Sequence, residues 1–143
     1  MTASAAGYSG TPLPRKLGIA PGSLVLLVGA PEDFAEQTLG PLPGVELHRR
    51  AGRSPYDVVL AFAPDRRALT ARFEPASRRL TTAGGLWIAW PKRSSGVSTD
   101  LDENVVRDHG LAVGLVDVKV CAIDATWSGL KFVVRLRDRR DQV

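Results

Sequence analysis

The segment Leu24–Val28 constrains the fold more than any other, because all five of its residues are apolar. A strand with one solvated face alternates apolar and polar residues, whereas a continuous apolar run is typical of a parallel strand that helices cover on both faces. Gly29-Ala30-Pro31 then breaks the run. We therefore expect an α/β domain in which this strand is central, and in which the turn after it lies at the edge where such folds bind ligands.

Three later segments predict further strands of this sheet. Residues 45–49 follow a Pro-Gly turn, and residues 56–62 and 86–90 are again almost entirely apolar. Ala83-Gly84-Gly85 is expected to end the preceding element before the last of these strands begins.

The last quarter of the chain has a different pattern. Residues 116–122 and 130–136 alternate apolar with polar side chains, and this period of two predicts an antiparallel pair joined by residues 124–129. The whole order therefore predicts a mostly parallel sheet that ends in an antiparallel hairpin.

Two helices are predicted before the fourth strand. After the first strand, Glu32 and Asp33 suit the first helical turn, where the helix dipole favours acids, and Phe34 should face the core. Residues 69–80 carry apolar side chains at intervals of three and four, which predicts a second helix. Pro75 lies inside this stripe and predicts a break, because proline lacks an N–H and disfavours a helical residue before it.

A third helix is predicted after the fourth strand. Ser98 or Thr99 can cap it, with Asp102 or Glu103 in its first turn. We expect it to end at His109-Gly110, where a histidine is a favourable charge at a helix C-terminus.

Length and composition indicate one domain. The chain has 143 residues, and we expect residues 11–137 to form the domain between a flexible N-terminal segment, 1–10, and a flexible tail, 138–143. The start of the chain does not resemble a signal peptide, and no apolar stretch is long enough to span a bilayer. Cys121 is the single cysteine, so no internal disulfide can form. These features predict a cytoplasmic protein without membrane contact.

The net charge of +4 raises the question of nucleic acid binding. The 19 basic residues, of which 15 are arginine, fall in scattered segments, most of them with acidic residues nearby. Solvated helix faces and the basic tail explain this distribution better than one clustered interface. We therefore do not expect nucleic acid as a partner.

The predicted order of elements resembles that of class I S-adenosylmethionine-dependent methyltransferases, whose last strand inserts antiparallel into a parallel sheet. A leader similar to residues 13–22 also precedes the first strand in those enzymes. The resemblance covers residues 11–137 and implies a shortened, three-layer methyltransferase-like sandwich. A shared fold does not carry function by itself.

A narrower resemblance rests on short stretches spread over nearly the whole chain. They are Gly7–Leu13, Gly29–Phe34, Trp90–Lys92, Thr99–Leu101, Val118–Asp124 and Thr126–Phe132. These stretches resemble an actinobacterial family of domains of unknown function, number 3052. The resemblance implies a bacterial cytosolic protein of methyltransferase-like shape with no assigned reaction.

Two features of an S-adenosylmethionine site are missing. The turn after the first strand normally offers several glycines, but here Ala30-Pro31 follows Gly29. The second strand normally ends in a carboxylate for the ribose hydroxyls, but here it ends in Arg49-Arg50, and Glu46 lies too early in the strand to reach. No G-x-G-x-x-G motif follows a strand, so a dinucleotide is not expected either. We therefore predict no cofactor.

Other catalytic patterns are also absent. His48 and His109 lack metal-ligand spacing, and there is no G-x-S-x-G motif. Asp102 and Glu103 are better explained as partners of a helix dipole than as a catalytic carboxylate pair. Cys121 is expected to be packed in a strand rather than reactive. No metal site and no catalytic residue are predicted, which favours a protein that is not an enzyme without excluding one.

One candidate ligand site remains. The loops after parallel strands open on the same edge of a sheet. The loops at residues 31–33, 64–65 and 92–96, which follow the first, third and fourth strands, should therefore converge in a crevice. The stretch from Lys92 to Ser95 offers cations and hydroxyls, and a helix N-terminus follows, which suits a phosphate or a carboxylate. The predicted crevice consists of Glu32, Asp33, Asp65, Lys92, Arg93, Ser94, Ser95 and Trp127. The alternative is that these residues only cap loops and carry solvated charges.

The sequence leaves three functions open. The first is a non-enzymatic methyltransferase-like domain that binds a protein partner, in a regulatory role. The second is a module that binds a small anionic ligand in the crevice. The third is an S-adenosylmethionine-dependent methyltransferase with an atypical cofactor loop. The oligomeric state cannot be read from the sequence.

Overall fold

The computed structural model describes residues 11–139, which form one sheet with helices on both faces. In chain order the elements are α1 (Leu13–Lys16), β1 (Leu24–Val28), a π-helix (Ala35–Leu39), β2 (Glu46–His48), β3 (Tyr56–Phe62), α2 (Arg66–Ser77), β4 (Leu80–Pro91), a 3₁₀ turn (Arg93–Ser95), α3 (Glu103–Val113), β5 (Leu115–Ala122), β6 (Trp127–Val134) and α4 (Leu136–Arg139). The predicted flexible segment 1–10 and residues 140–143 of the predicted tail lie outside the described residues.

The six strands have the order β2-β1-β3-β4-β6-β5. β1 pairs in parallel with β2 and β3, β3 pairs in parallel with β4, and β6 lies antiparallel between β4 and β5. This confirms the predicted mostly parallel sheet with an antiparallel hairpin. The chain first steps outward from β1 to β2 and then returns to β3 on the other side of β1. The boundary between β1 and β3 is therefore the topological switch point, where open α/β sheets bind ligands.

Helices bury the sheet on both faces. On one face, side chains of α2 and α3 pack with Phe132 of β6. On the other face, the segment around α1 and the π-helix covers Trp87, whose indole Nε1 donates to the carbonyl of Leu17 at 3.0 Å. This double burial explains why β1 is a continuous apolar run in the sequence and β3 is nearly one.

The helix predicted after β1 is a single wide turn. The π-helix Ala35–Leu39 is flanked by the buried Phe34, which faces the core as predicted. Gly40, with a φ of 73°, ends it and donates its N–H to the carbonyl of Ala35 at 3.0 Å. Glu32 and Asp33 precede this turn and are exposed.

The predicted break at Pro75 is wrong. α2 runs without interruption from Arg66 to Ser77, so Pro75 lies in its last turn. At that position proline removes only the hydrogen bond to the carbonyl of Ala71, an exposed residue whose oxygen water can reach. The buried side chains of Phe73 and Ala76, on either side of the proline, hold the turn against the sheet.

The fourth strand is longer than predicted, because Gly84-Gly85 lies inside β4 rather than before it. A Cβ on Gly84 would lie 2.9 Å from the carbonyl oxygen of Tyr56, and one on Gly85 would lie 2.6 Å from Cε of Lys131. Glycines inside a strand often mark such a close approach of neighbouring atoms. Gly84 and Gly85 are therefore part of β4 and do not end the element before it.

The third helix begins later than predicted. Asp102 is its N-cap, and its Oδ1 accepts a hydrogen bond from the N–H of Val105 at 2.9 Å. Neither Ser98 nor Thr99 is the cap. An aspartate carboxylate fills this role well, because it both satisfies a free amide and complements the helix dipole.

The third helix also ends later than predicted. It continues past His109-Gly110 and ends at Gly114, whose φ of 108° suits glycine. The predicted role of His109 as a charge at the helix end is therefore wrong. Its ring instead packs edge-to-face on Phe73, with 5.0 Å between ring centroids. Gly110 is buried because the helix lies directly on the ring of Phe132.

Gly110→Ala tests this contact between α3 and β6. Alanine is a better helix former than glycine by about 1 kcal/mol, but its Cβ would lie 2.6 Å from Cδ1 and Cζ of the Phe132 ring. Overpacking a filled core costs about 1–3 kcal/mol. We therefore expect the free energy of unfolding, measured in urea, to fall. Ala112→Gly, at an exposed position of the same helix, calibrates helix propensity alone. A more stable Gly110→Ala variant would contradict the contact.

Candidate functional site

A side chain of the protein itself occupies the switch point between β1 and β3. Arg72, half-buried on α2, extends over the carboxyl ends of the two strands. Its Nη1 donates a hydrogen bond to the carbonyl of Phe62, the last residue of β3. On the β1 side the guanidinium lies against Gly29, where an added Cβ would be 2.8 Å from Cζ of Arg72. One guanidinium therefore bridges the two strand ends that flank the expected ligand crevice.

Gly29 allows this arrangement in two ways. Its φ of +68° lies in the left-handed region, which glycine adopts without strain. Its missing Cβ also leaves the space that the guanidinium of Arg72 fills. The glycine that follows β1 thus makes room for a side chain of the protein.

Sequence analysis missed Arg72. It lies three residues after the buried Leu69 and directly before the buried Phe73, at the margin of the apolar stripe of α2. A basic residue at the edge of the buried face of α2 was the feature of the sequence that could have indicated it. Within residues 11–139, no carboxylate forms an ion pair with Arg72.

The three acidic residues of the predicted crevice have different surroundings. Glu32 and Asp33 are exposed in the turn after β1. Asp65 is the N-cap of α2, and its Oδ1 accepts from the N–H of Ala68 at 2.9 Å. Among the described residues no hydrogen bond or ion pair joins Glu32 or Asp33 to the other residues of the predicted crevice. The carboxylate of Asp65 has a structural role that the sequence analysis did not assign to it.

The segment from Lys92 to Ser95 is held by its own backbone. The N–H of Lys92 donates to the carbonyl of Thr126 at 2.8 Å, which ties the end of β4 to the hairpin turn. The hydroxyl of Ser95 donates to the carbonyl of Lys92 at 2.7 Å and accepts from the N–H of Val97 at 3.1 Å. Arg93 and Ser94 are exposed. The predicted helix N-terminus does not follow directly, because α3 begins only at Glu103.

Trp127 lies at this edge of the sheet. It is the first residue of β6 and lies opposite Pro91 of β4. Its ring is half-buried and packs edge-to-face on Phe62 at 5.0 Å, and Phe62 packs in the same way on Phe34 at 4.9 Å. A row of three aromatic rings therefore lies under the carboxyl ends of the central strands.

Two side chains tie the loop before α3 to the loop after β3. The Oγ1 of Thr99 donates to the carbonyl of Pro64 at 2.7 Å. Asp100 Oδ1 accepts from the N–H of Arg66 at 2.8 Å, at the start of α2. The loops after β3 and β4 are therefore held together, and the hydrogen bonds between them use polar groups that a ligand would otherwise need.

The carboxylate of Glu46 takes part in a chain of hydrogen bonds at β2, which was not predicted from the sequence. The buried hydroxyl of Tyr56 accepts from the N–H of Gly52 at 2.7 Å and lies 2.6 Å from Nδ1 of His48. Nε2 of His48 lies 2.6 Å from Oε2 of Glu46. An ionised carboxylate can only accept a hydrogen bond, so Nε2 of His48 carries a proton and donates it to Glu46. The carboxylate of Glu46 is thus already in use.

Among the cavities on the surface of residues 11–139, two lie away from the predicted crevice, and none of its residues lines them. One, of about 290 Å³, lies between α2 and α3 and is lined by residues such as Thr70 and His109. The other, of about 430 Å³, lies beside the π-helix and is lined by residues such as Leu42 and Leu47. In the described part of the chain, no group of three or more His, Cys, Asp or Glu side chains could hold a metal ion. No helix among residues 11–139 is long and apolar enough to cross a membrane.

No protein-family model and no curated protein matches the chain, so its resemblance to family number 3052 stays a prediction.

Solved structures similar to the chain are S-adenosylmethionine-dependent methyltransferases and related complexes. The DhpI-SAH complex has a TM-score of 0.58 at 12% identity, over 94% of this chain and 87% of that one. Magnesium protoporphyrin IX methyltransferase (ChlM) from Synechocystis PCC 6803 with bound SAM has a TM-score of 0.56 at 13% identity, over 86% and 74%. The LepI complex with SAM has a TM-score of 0.52 at 15% identity; 90% of this chain is matched, but it spans only 40% of the LepI chain. The chain therefore has a shortened methyltransferase-like fold.

Asp65→Ala tests whether this residue of the predicted crevice caps α2. Loss of the bond to the N–H of Ala68 should lower the free energy of unfolding by about 0.5–2 kcal/mol, the usual cost of losing an N-cap. The matched control is Asp33→Ala, at an exposed acid, which should change stability by less than about 0.5 kcal/mol. Chemical denaturation of the three proteins checks this, and equal stability of the two variants would contradict the capping role.

Proposed function

We propose that this methyltransferase-like domain does not use adenosylmethionine and acts by binding a protein partner, in a regulatory role. The observation that carries the proposal is the position of Arg72, which lies against Gly29 and bonds the carbonyl of Phe62 across the switch point. A cofactor in such folds needs the backbone at the first turn for close approach. Here the guanidinium takes that place.

Charge favours the same conclusion. Adenosylmethionine carries a net positive charge, because its sulfonium and amino groups outweigh its one carboxylate, and Arg72 has no carboxylate partner in residues 11–139 to neutralise it. Like charges brought together in a partly desolvated crevice repel strongly. At the end of β2, where a free acid would bind ribose hydroxyls, the next residues are Arg49-Arg50, and Glu46 at the start of the strand is bonded to His48.

The edge of the sheet supports binding of a protein. β5 is an edge strand, and Val118 and Val120 on it are 55% and 44% exposed. An edge strand with exposed apolar side chains presents both unpaired backbone groups and a hydrophobic surface to another chain.

Two other functions have some support. An atypical methyltransferase is favoured by the fold, since solved structures of similar shape include complexes with SAM and SAH. This function requires Arg72 to leave the switch point, and fold likeness alone does not carry an activity. A small anionic ligand is favoured by the guanidinium of Arg72, which has no carboxylate partner among the described residues and would bind a carboxylate or a phosphate well.

Titration calorimetry with adenosylmethionine tests the cofactor part of the proposal. The wild-type protein should show no binding at micromolar strength. Arg72→Ala should bind measurably better than the wild type, because it empties the switch point. Arg67→Ala, at an exposed position of the same helix, should behave like the wild type. Micromolar binding by the wild type would overturn the proposal, and equal absence of binding in all three proteins would show that Arg72 is not the obstacle.

Affinity capture from a cell lysate tests the partner part. The protein should retain a defined set of proteins, and Val118→Asp should lose them, because a charge on the exposed edge would have to be buried on binding. Val97→Asp is the matched control, since Val97 is a similarly exposed valine (48%) outside the sheet. Equal capture by both variants would show that β5 is not the surface used.

A further inference from the structure

Three of the four lysines lie close together, two of them on the hairpin and one in α1. The chain has 19 basic residues, and only Lys16, Lys92, Lys119 and Lys131 are lysines. Lys119 of β5 and Lys131 of β6 are directly opposed cross-strand partners. The Nζ of Lys119 also donates to the carbonyl of Lys16 at 3.3 Å. Like charges directly opposite each other in an antiparallel pair are destabilising, so the arrangement works against folding stability.

Lys131 is held in place by the glycines around it. Its Cε would lie 2.6 Å from a Cβ on Gly85 of β4, and its Nζ 3.9 Å from one on Gly18, after α1. The side chain is half-buried, and within residues 11–139 no carboxylate forms an ion pair with any lysine of the cluster. Burial of the amine and the positive charge of Lys119 both lower the pKa of Lys131.

These surroundings suit an amine that can lose its proton and react better than a group that only carries a positive charge. Arginine is always protonated in proteins, whereas lysine can lose its proton and act as a nucleophile. A chain that uses arginine at 15 of 19 basic positions nevertheless has lysine at all three positions of this cluster. Burial raises the pKa of the neighbouring Cys121 thiol, against the opposing pull of Lys119 and Lys16, and so lowers its thiolate fraction.

We propose that Lys131 is a site of covalent acylation by small anionic acyl donors of the acyl phosphate class, drawn to it by Lys119. The uncharged Nζ of Lys131 attacks the carbonyl carbon and a C–N bond forms. The bond from that carbon to the phosphate oxygen breaks, and phosphate leaves with the bonding electron pair. The amine gives one proton to solvent, and the product is an amide. Acylation thereby removes the positive charge that opposes Lys119.

The reaction needs no other protein. The neighbouring ammonium group of Lys119 raises the local concentration of an anionic donor and stabilises the negative charge on the departing phosphate. Lys92 is a matched comparison inside the same molecule, because it is also half-buried and lies outside the cluster.

The test is to incubate the folded protein with acetyl phosphate at neutral pH and to follow each lysine by quantitative peptide mass spectrometry. Lys131 should be acetylated several-fold faster than Lys92. Unfolding the protein in urea should abolish this difference, because the cluster exists only in the folded chain. A preference for Lys131 that persists in urea would come from local sequence and would overturn the proposal, as would equal rates in the folded protein.

Lys119→Met separates the proposed mechanism from simple accessibility. Lys119 is exposed, so its replacement should preserve the fold, which circular dichroism verifies. Without its charge the pKa of Lys131 rises and the donor is attracted less, so acetylation of Lys131 should slow several-fold while that of Lys92 is unchanged. An unchanged rate at Lys131 in this variant would overturn the role of the cluster.

Discussion

The hydrogen bond from the guanidinium of Arg72 to the carbonyl of Phe62 is the interaction on which the account of this protein depends. It joins α2 to the end of β3 and presses the guanidinium against Gly29 at the end of β1. In an open α/β sheet this is the place where a ligand normally lies. The domain keeps the methyltransferase-like architecture, and its own side chain occupies the central position of that architecture.

The rest of the carboxyl edge follows the same principle. Asp65 caps α2, Thr99 and Asp100 bind the loop after β3, and Lys92 is tied to the hairpin turn through its backbone. Polar groups that could receive a ligand are thus used to hold loops together. The proposed recognition surface is the edge strand β5, and Lys119 and Lys131 of the lysine cluster lie on the hairpin that this strand forms with β6.

Local patterns in the sequence were enough to predict the sheet, and contacts between distant residues decided what was missed. The apolar run at Leu24–Val28 and the alternation in the last quarter indicated the parallel core and the hairpin, because burial on two faces or on one determines these patterns. Pro75 was expected to break α2, but in a last turn its cost is small and the packing of Phe73 and Ala76 outweighs it.

The candidate site was harder to predict for the same reason. The contact between the loops after β3 and β4, and the position of Trp127 at the start of β6, follow from the topology of the sheet, which the sequence pattern reveals. The contact of Arg72 with Gly29 joins residues far apart in the chain, and no local rule predicts it. The caps formed by Asp65 and Asp102 could be confused with site acids, since the same residue types serve both purposes.

A crystal structure of the protein grown with a large excess of S-adenosylhomocysteine tests the central claim most directly. We predict that the guanidinium of Arg72 remains bonded to the carbonyl of Phe62 and that no nucleoside density appears between the ends of β1 and β3. Density for the nucleoside beside Gly29, with Arg72 moved aside, would contradict the account.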